Sequence, residues 1–159
     1  MSLAASSLDA ATGGKRTLDL LMVEDDPADV DLTREALEVA GPAEFIVQIH
    51  VVSDGEQAID FLRRHPPYES APRPHLILLD LNMPRRSGHD VLREIKNDET
   101  LRGIPVVVLT TSDAAEDVEK SYALGANSFI TKARNFSDHL KIVKTIKEFW
   151  FRAATLPTD

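Results

Sequence analysis

The chain has 159 residues, of which 43% are hydrophobic and 28% charged, a composition typical of one globular domain rather than a disordered or membrane-embedded protein. Its 26 acidic and 18 basic side chains give a net charge of −8, which argues against binding of nucleic acid. Because the chain has no cysteine, disulfides and thiolate metal sites are excluded, and any metal must be held by oxygen or imidazole ligands.

The chain termini differ in composition from the middle. Residues 1–16 are rich in Ser, Ala and Gly, and we expect a flexible N-terminal leader there, without the basic start and apolar core of a secretory signal. One domain is expected over residues 17–153, followed by a C-terminal tail over 154–159. Since no apolar run approaches the length of a membrane span, we expect a cytoplasmic protein without a membrane partner.

From residue 17 onward, short apolar runs of β-favouring residues alternate with amphipathic segments. The runs predict strands near 18–23, 45–52, 75–80, 104–110 and 127–131. The amphipathic segments predict helices near 27–40, 55–65, 88–97, 113–124 and 136–152. Five such β/α repeats imply a parallel sheet with helices on both faces.

Capping residues agree with these helix boundaries. Asp26 followed by Pro27 is typical of an N-cap with proline at the first helical position. Asp54 with Gln57 three residues later resembles a capping box at the start of the second helix. Gly125 is expected to end the fourth helix.

The third and fourth strands, LILL and IPVVVL, are continuously apolar, as expected of central strands buried on both faces. Right-handed crossovers can cover both faces of a sheet only if the winding direction reverses once. The flavodoxin-like (βα)5 fold, a doubly wound five-stranded parallel sheet of order 2-1-3-4-5, meets this condition. It places a ligand crevice at the carboxyl ends of strands 1 and 3.

Acidic residues follow both of those strands. The first strand ends in VEDDP and the third in LLLDLNMP, so Glu24, Asp25 and Asp80 are expected to converge. Two charges about 4 Å apart repel by roughly 4 kcal/mol at an effective dielectric constant near 20, so the cluster requires a cation. Mg²⁺ prefers such oxygen ligands, and a carboxylate beside it can act as a nucleophile toward phosphorus.

These motifs resemble those of two-component response-regulator receiver domains, in particular single-domain phytochrome-type regulators, over about residues 18–150. The resemblance implies a stand-alone phosphorelay protein in which Asp80 accepts a phosphoryl group from a sensor histidine kinase, with a bacteriophytochrome as the suggested kinase. It also implies Mg²⁺ as cofactor, with Asp25 and Asp80 as ligands, Glu24 as a ligand through water and the backbone carbonyl of Asn82 as a further ligand.

Two further strand ends match the same family. Thr110, at the end of VVVLTTS, matches the hydroxyl that approaches the phosphoryl oxygens, and Lys132 in FITKA matches the lysine that balances their charge. Phe129 matches the aromatic switch residue, so the fourth helix, fifth strand and fifth helix are expected to carry the signal. Family members usually have a cis-proline after the lysine, and Ala133 here leaves the geometry of that turn open.

Each motif also has a plainer interpretation. The acidic residues before Pro27 could serve only as helix caps, Asp80 could close a turn, and Phe129 could be an ordinary core residue. The receiver interpretation is favoured because separate elements each supply the required residue type at one edge of the sheet.

Two other functions are compatible with an aspartate after a central strand. A haloacid-dehalogenase-type phosphatase also uses an aspartate after a central strand, but it needs a second aspartate where this chain has Asn82, which cannot transfer a proton. A degenerate receiver that binds without phosphorylation is disfavoured because the chemical positions hold competent residues. We therefore expect a signalling domain whose only chemistry is its own phosphorylation and dephosphorylation.

The last predicted helix carries more apolar surface than one sheet-facing helix needs. At about 100° per residue its apolar side chains cover roughly 200° of arc. A homodimer through this helix is therefore expected, unless the helix end folds over its own domain. The residues concerned are Leu140, Ile142, Val143, Ile146, Phe149, Trp150 and Phe151.

Overall fold

The structure is a computed structural model that describes residues 16–39 and 45–157. The expected leader, apart from its last residue, and the final two residues of the expected tail lie outside the described residues. Within those two ranges, no helix combines the length and apolarity needed to cross a bilayer.

Five strands and five α-helices alternate along the described residues, as predicted. The strands are β1 (Arg16–Val23), β2 (Phe45–Val52), β3 (Leu76–Leu79), β4 (Val106–Thr110) and β5 (Ser128–Thr131). The helices are α1 (Pro27–Val39), α2 (Gly55–Arg63), α3 (Gly88–Asn97), α4 (Ala115–Ala123) and α5 (Phe136–Ile146). A π-helical segment, Lys147–Ala153, continues α5.

The strands form one parallel sheet in the order β2-β1-β3-β4-β5, which confirms the flavodoxin-like topology. The register pairs Val23 of β1 with Leu79 of β3. Because both strands run in the same direction, the next residues, Glu24 and Asp80, leave the sheet side by side. This register therefore brings the two acidic motifs together.

Hydrophobic side chains from the central strands pack on both faces of the sheet, as predicted for β3 and β4. Ile77 and Leu79 join the core beneath α2 and α3, whereas Leu76 and Leu78 join the core beneath α1 and α5. All four are at most 2% exposed. Complete burial of one such side chain contributes roughly 1.5–3 kcal/mol, so these two cores hold the sheet edge in a fixed position.

The predicted helix caps are present, with one difference. The Asp26 carboxylate accepts a hydrogen bond from the Ala28 amide at 2.9 Å, and the Asp54 carboxylate accepts one from the Gln57 amide at 2.8 Å. The Gln57 side chain, however, accepts from the amide of Ser53 rather than that of Asp54, so the capping box is not reciprocal. Gly125, at φ 107°, follows the end of α4 as expected.

The fifth helix differs from the continuous α-helix predicted over 136–152. Its α-helical part ends at Ile146, and the following turns are π-helical. A π-helix has a longer hydrogen-bond repeat, so the angular count used for the predicted apolar arc does not hold beyond Ile146. Phe151 packs edge-on against Phe45, with ring centroids 5.6 Å apart, so part of this end does fold over its own domain.

Candidate functional site

The predicted acidic residues meet at the carboxyl edge of the sheet. Backbone hydrogen bonds extend the strand pairing beyond β1, from the Glu24 amide to Val52 at 3.0 Å and from the Asp80 amide to Val23 at 3.1 Å. Carboxylate oxygens of Glu24, Asp25 and Asp80 all lie within 4.8 Å of one another. Glu24 and Asp80 are buried, whereas Asp25 is exposed at the mouth of the pocket.

Lys132 supplies a positive charge inside this pocket. Its Nζ lies 2.8 Å from Asp29 Oδ2 and 3.7 Å from Asp80 Oδ2, and it also donates a hydrogen bond to Glu24. Its amide donates to the carbonyl oxygen of Thr110 at 2.7 Å, which fixes the backbone beside β4. Burial opposes its charge, but the hydrogen bonds to Asp29 and Glu24 outweigh burial and raise the pKa of Lys132 above its ordinary value.

The pKa of the Glu24 carboxyl group is raised by its surroundings in the pocket. Burial, followed by the nearby charge of Asp80, raises the pKa of Glu24 to about 7 even though Lys132 acts in the opposite direction. The folded chain therefore carries a proton on Glu24 in part of the population near neutral pH. A cation in the pocket would compete with that proton.

Thr110 is the last residue of β4, the strand beside β3, and Phe129 lies within the neighbouring strand β5. The Thr110 side chain is fully buried, and its Oγ1 has no hydrogen-bond partner within the described residues. A buried hydroxyl without a partner is uncommon, and it suits a position where a ligand oxygen can be bound. Phe129 is half-buried and packs against the core beneath α2 and α3. Its amide donates to the Tyr122 hydroxyl at 3.1 Å.

The loop after Asp80 turns back toward the pocket. The Asn82 amide lies 3.4 Å from Asp80 Oδ1 in a long hydrogen bond, which keeps the Asn82 backbone close to the acidic cluster. Arg85 ties the same loop to the start of α2, because its guanidinium donates to Asp54 Oδ2 at 2.7 Å.

The sequence does not determine the peptide geometry of the turn after Lys132. Among the described residues the one cis peptide bond joins Pro66 and Pro67, so the bond from Lys132 to Ala133 is trans. Lys132 reaches the pocket with that trans geometry.

Two residues that contact the site, Asp29 and Gly88, were not among those predicted from the sequence. Asp29 was overlooked because an acidic residue in the first turn of a helix is ordinarily explained by the helix dipole. Gly88 begins α3, and a Cβ atom there would lie 2.3 Å from the Asp80 carbonyl oxygen. A glycine just inside a predicted helix start was the available signal for this close approach.

Comparison with known proteins identifies the family. The model of the response regulator receiver domain family matches residues 20–144. The chain belongs to this receiver-domain family. Receiver domains are signalling modules of response regulators, which receive phosphoryl groups from histidine kinases, so the phosphatase alternative is not supported.

The receiver domain is similar to phytochrome response regulators over most of its length. It is 45% identical over 138 residues to response regulator Rcp1 of Synechocystis sp., covering 87% of this chain and 92% of Rcp1. The solved structure of the phosphorylated cyanobacterial phytochrome response regulator RcpA is 46% identical, with a TM-score of 0.83, and the match covers 89% of this chain and 99% of that chain. The Mn²⁺-bound form of Rcp1 has the same TM-score at 44% identity and the same coverage.

The donor set of the receiver site fits a hard divalent cation. The acidic cluster offers carboxylate oxygens from Glu24, Asp25 and Asp80, without imidazole or thiolate among them. Oxygen ligands of this kind suit Mg²⁺ or Mn²⁺ rather than softer metals. Lys132 alone leaves the pocket with excess negative charge, which a divalent ion would offset. Receiver domains bind a divalent metal, and the residues present here fit one.

Proposed function

We propose that Asp80 is the phosphoacceptor of this receiver domain and that Mg²⁺ is its cofactor. The observation that carries the proposal is the convergence of Glu24, Asp25 and Asp80 within 4.8 Å, with Lys132 Nζ 3.7 Å from the Asp80 carboxylate. Glu24, Asp25 and Asp80 would hold the metal through carboxylate oxygens, and Asn82 through its backbone carbonyl. The Asn82 amide, 3.4 Å from Asp80, supports a backbone contribution from that loop.

The chemistry is transfer of a phosphoryl group to a carboxylate. An oxygen of Asp80 attacks the phosphorus of a phosphohistidine in line; the P–N bond breaks, and its electron pair remains on the imidazole nitrogen, which then takes up a proton. The bound metal would neutralise charge on the phosphoryl oxygens. Lys132 and Thr110 would donate hydrogen bonds to the other oxygens, a role supported for Thr110 by its buried hydroxyl, which has no hydrogen-bond partner among the described residues.

Incubation with acetyl phosphate and Mg²⁺ tests this proposal without a kinase. We expect the intact mass to increase by one phosphoryl group, and the increase to disappear with EDTA or in the Asp80→Asn variant. Asp113→Asn is a matched control, because Asp113 is an exposed aspartate just beyond β4, and it should leave uptake unchanged. Equal phosphoryl uptake by the Asp80→Asn variant would refute the assignment.

The phosphodonor is proposed to be a phytochrome-type sensor histidine kinase in the cytoplasm. The support is the similarity to Rcp1 and to the phytochrome response regulator RcpA. The absence of cysteine suits a reducing compartment. Transfer from an autophosphorylated phytochrome kinase should be faster than from an unrelated histidine kinase, and equal rates would contradict this choice of donor.

Signal output is proposed to pass through α4, β5 and α5. On phosphorylation, Thr110 would move toward the phosphoryl oxygens, and Phe129 would turn inward into the space that Thr110 vacates. Phe129 is half-buried, and its backbone amide donates a hydrogen bond to the Tyr122 hydroxyl of α4. A movement of Phe129 would therefore change the contacts of α4. The change is a two-state equilibrium biased by one local charge. Thr110→Val should therefore uncouple phosphorylation from chemical-shift changes in α4.

Homodimerisation through the C-terminal helix is also proposed, on a smaller surface than the sequence indicated. Val143, Ile146 and Phe151 are buried in the chain's own core, and Trp150 packs partly against it. Phe149 is 52% exposed and contacts Trp150 edge-on, with ring centroids 5.0 Å apart. Leu140 and Ile142 are partly buried like Trp150, so Phe149 is the exposed member of the predicted surface and would be the centre of the contact with a second chain.

A further inference from the structure

Asp29, in the first turn of α1, binds the lysine of the proposed phosphoacceptor pocket. We propose that Asp29 is a positioning residue that holds Lys132 away from Asp80 and thereby lowers the affinity of the pocket for a phosphoryl group. The inference rests on the proposed function of Asp80 and adds a residue that tunes it.

The distances around Lys132 support this role. Its Nζ lies 2.8 Å from Asp29 Oδ2, within hydrogen-bond range, but 3.7 Å from Asp80 Oδ2, beyond that range. The Lys132 side chain is 7% exposed, so water offers it little alternative bonding. Its ammonium group has three N–H donors, and Glu24 and Asp29 occupy two of them.

A phosphoryl group on Asp80 would compete with Asp29 for the ammonium. It would present more oxygen acceptors and more negative charge than the carboxylate, and Lys132 Nζ lies 3.7 Å from that carboxylate. The competition has two parts that act in the same direction. Lys132 must weaken its bond to Asp29 to approach the phosphoryl oxygens, and the Asp29 charge repels those oxygens.

The helix that carries Asp29 cannot easily follow Lys132. One turn beyond Asp29, the hydroxyl of Thr33 is hydrogen-bonded to His139 Nε2 of α5 at 2.9 Å, and both residues are buried. Two turns beyond Asp29, the carbonyl of Leu37 accepts from Lys147 Nζ at 3.1 Å. These contacts hold α1 against the C-terminal helix. Asp29 therefore accepts the hydrogen bond from Lys132 without moving toward Asp80 with it.

Titration with beryllofluoride, a mimic of the phosphoryl group, tests the proposal in saturating Mg²⁺ with ¹⁹F NMR as the readout. Asp29→Asn should bind it about fivefold more tightly than the unaltered chain, a factor equivalent to about 1 kcal/mol. Asp31→Asn is the matched control, because Asp31 is an exposed aspartate on the same helix and its replacement removes the same charge. It should change the affinity less than twofold, as should the conservative variant Asp29→Glu.

High salt separates a local bond from a general charge effect. In 1 M KCl the Debye length is about 3 Å, so an effect through solvent would be screened, whereas the difference for Asp29→Asn should persist. Asp29→Ser, which also suits a helix N-terminus, provides a second neutral replacement if Asp29→Asn does not fold.

The outcomes distinguish this inference from the proposed function. Unchanged or weaker binding by the neutral Asp29 variants, or a difference that vanishes in 1 M KCl, would overturn the role of Asp29 alone. Failure of the unaltered chain to bind beryllofluoride with Mg²⁺ would overturn the phosphoacceptor assignment and this inference together.

Discussion

The charge of Glu24 depends strongly on the surroundings of its carboxyl group. Burial first, and then the charge of Asp80, raises its pKa to about 7, from an ordinary value of 4.5. Between these two values the folded chain holds a proton that the unfolded chain has released. Without a metal, the contribution of Glu24 to the free energy of unfolding therefore falls as the pH rises from about 4.5 to 7. The reason is that the folded chain disfavours the ionised form of Glu24.

Metal binding should stabilise the ionised form of Glu24 in the folded chain, because a divalent cation needs deprotonated ligands. We predict that Mn²⁺ affinity rises roughly tenfold per pH unit up to about pH 7 and then levels off. Calorimetric titration in buffers of different ionisation enthalpy would count the proton released. The Glu24→Gln variant should bind Mn²⁺ more weakly, and its affinity should not rise with pH in this way. If the Mn²⁺ affinity of the unaltered chain is constant from pH 5.5 to 8, the prediction is contradicted.

The position of a site residue was predictable from the sequence where a charged side chain directly follows an apolar strand. Asp80 and Lys132 each follow an apolar run, and the structure brings them to within 3.7 Å of each other. Asp29 was not predictable in this way, because its contact with Lys132 crosses 103 positions of the chain. Sequence spacing within one helix contains no information on such a partner.

At the scale of elements, three residues of α1 that lie one helical turn apart make polar contacts with the end of β5, with α5 and with its π-helical continuation. Asp29, Thr33 and Leu37 of α1 contact Lys132, His139 and Lys147, in that order. Burial lowers the pKa of His139, which favours the neutral imidazole, and this ring shares one hydrogen bond with Thr33. The contacts connect the proposed phosphorylation pocket with the C-terminal π-helical segment.

Removal of the central contact should destabilise the fold. Thr33→Val keeps the side-chain shape but leaves the buried His139 nitrogen without its partner, which should lower the free energy of unfolding by about 1–3 kcal/mol. Urea denaturation measures the difference. Thr145→Val is the control, because Thr145 is exposed on α5 and bonds only to its own helix; it should change stability by about 0.5 kcal/mol or less. Equal effects of the two substitutions would show that the contact does not stabilise the helix pair.

The π-helical end of α5 was not predictable from periodicity. An α-helical count places Phe149, Trp150 and Phe151 around a wide arc, whereas the structure buries Phe151 against Phe45 and leaves Phe149 exposed. Phe151 and Lys147 of this segment contact Phe45 and Leu37, respectively. Each of these contacts joins residues more than 100 positions apart, so a local periodicity does not reveal them. The α-helical part was predictable because its amphipathic pattern and the Asn135 cap are local features.

At the scale of the whole molecule, the fold was predictable because two rules act together. Continuous apolar runs identify central strands, and the handedness of β/α crossovers leaves few sheet orders. The observed order β2-β1-β3-β4-β5 is one of the few that these rules allow. The association of two such molecules does not follow from them, since it depends on which apolar residues remain exposed after folding.

Phe149 provides the test of the proposed dimer. It is 52% exposed and lies beside Trp150, so Phe149→Ser should shift sedimentation at tens of micromolar from dimer to monomer. Phe136→Ser is the matched control, because Phe136 is 37% exposed at the opposite end of α5. A monomeric unaltered chain, with and without phosphorylation, would refute the dimer, and dissociation by Phe136→Ser alone would move the interface to the other end of the helix.

Direct location of the phosphoryl group tests the central claim. Borohydride reduces an aspartyl phosphate to homoserine, which peptide mass spectrometry assigns to one position of the chain. After treatment with acetyl phosphate and Mg²⁺, homoserine is predicted at position 80, and it should be absent when EDTA is present. Phosphoryl uptake with homoserine at another aspartate, or with none at position 80, would contradict the account.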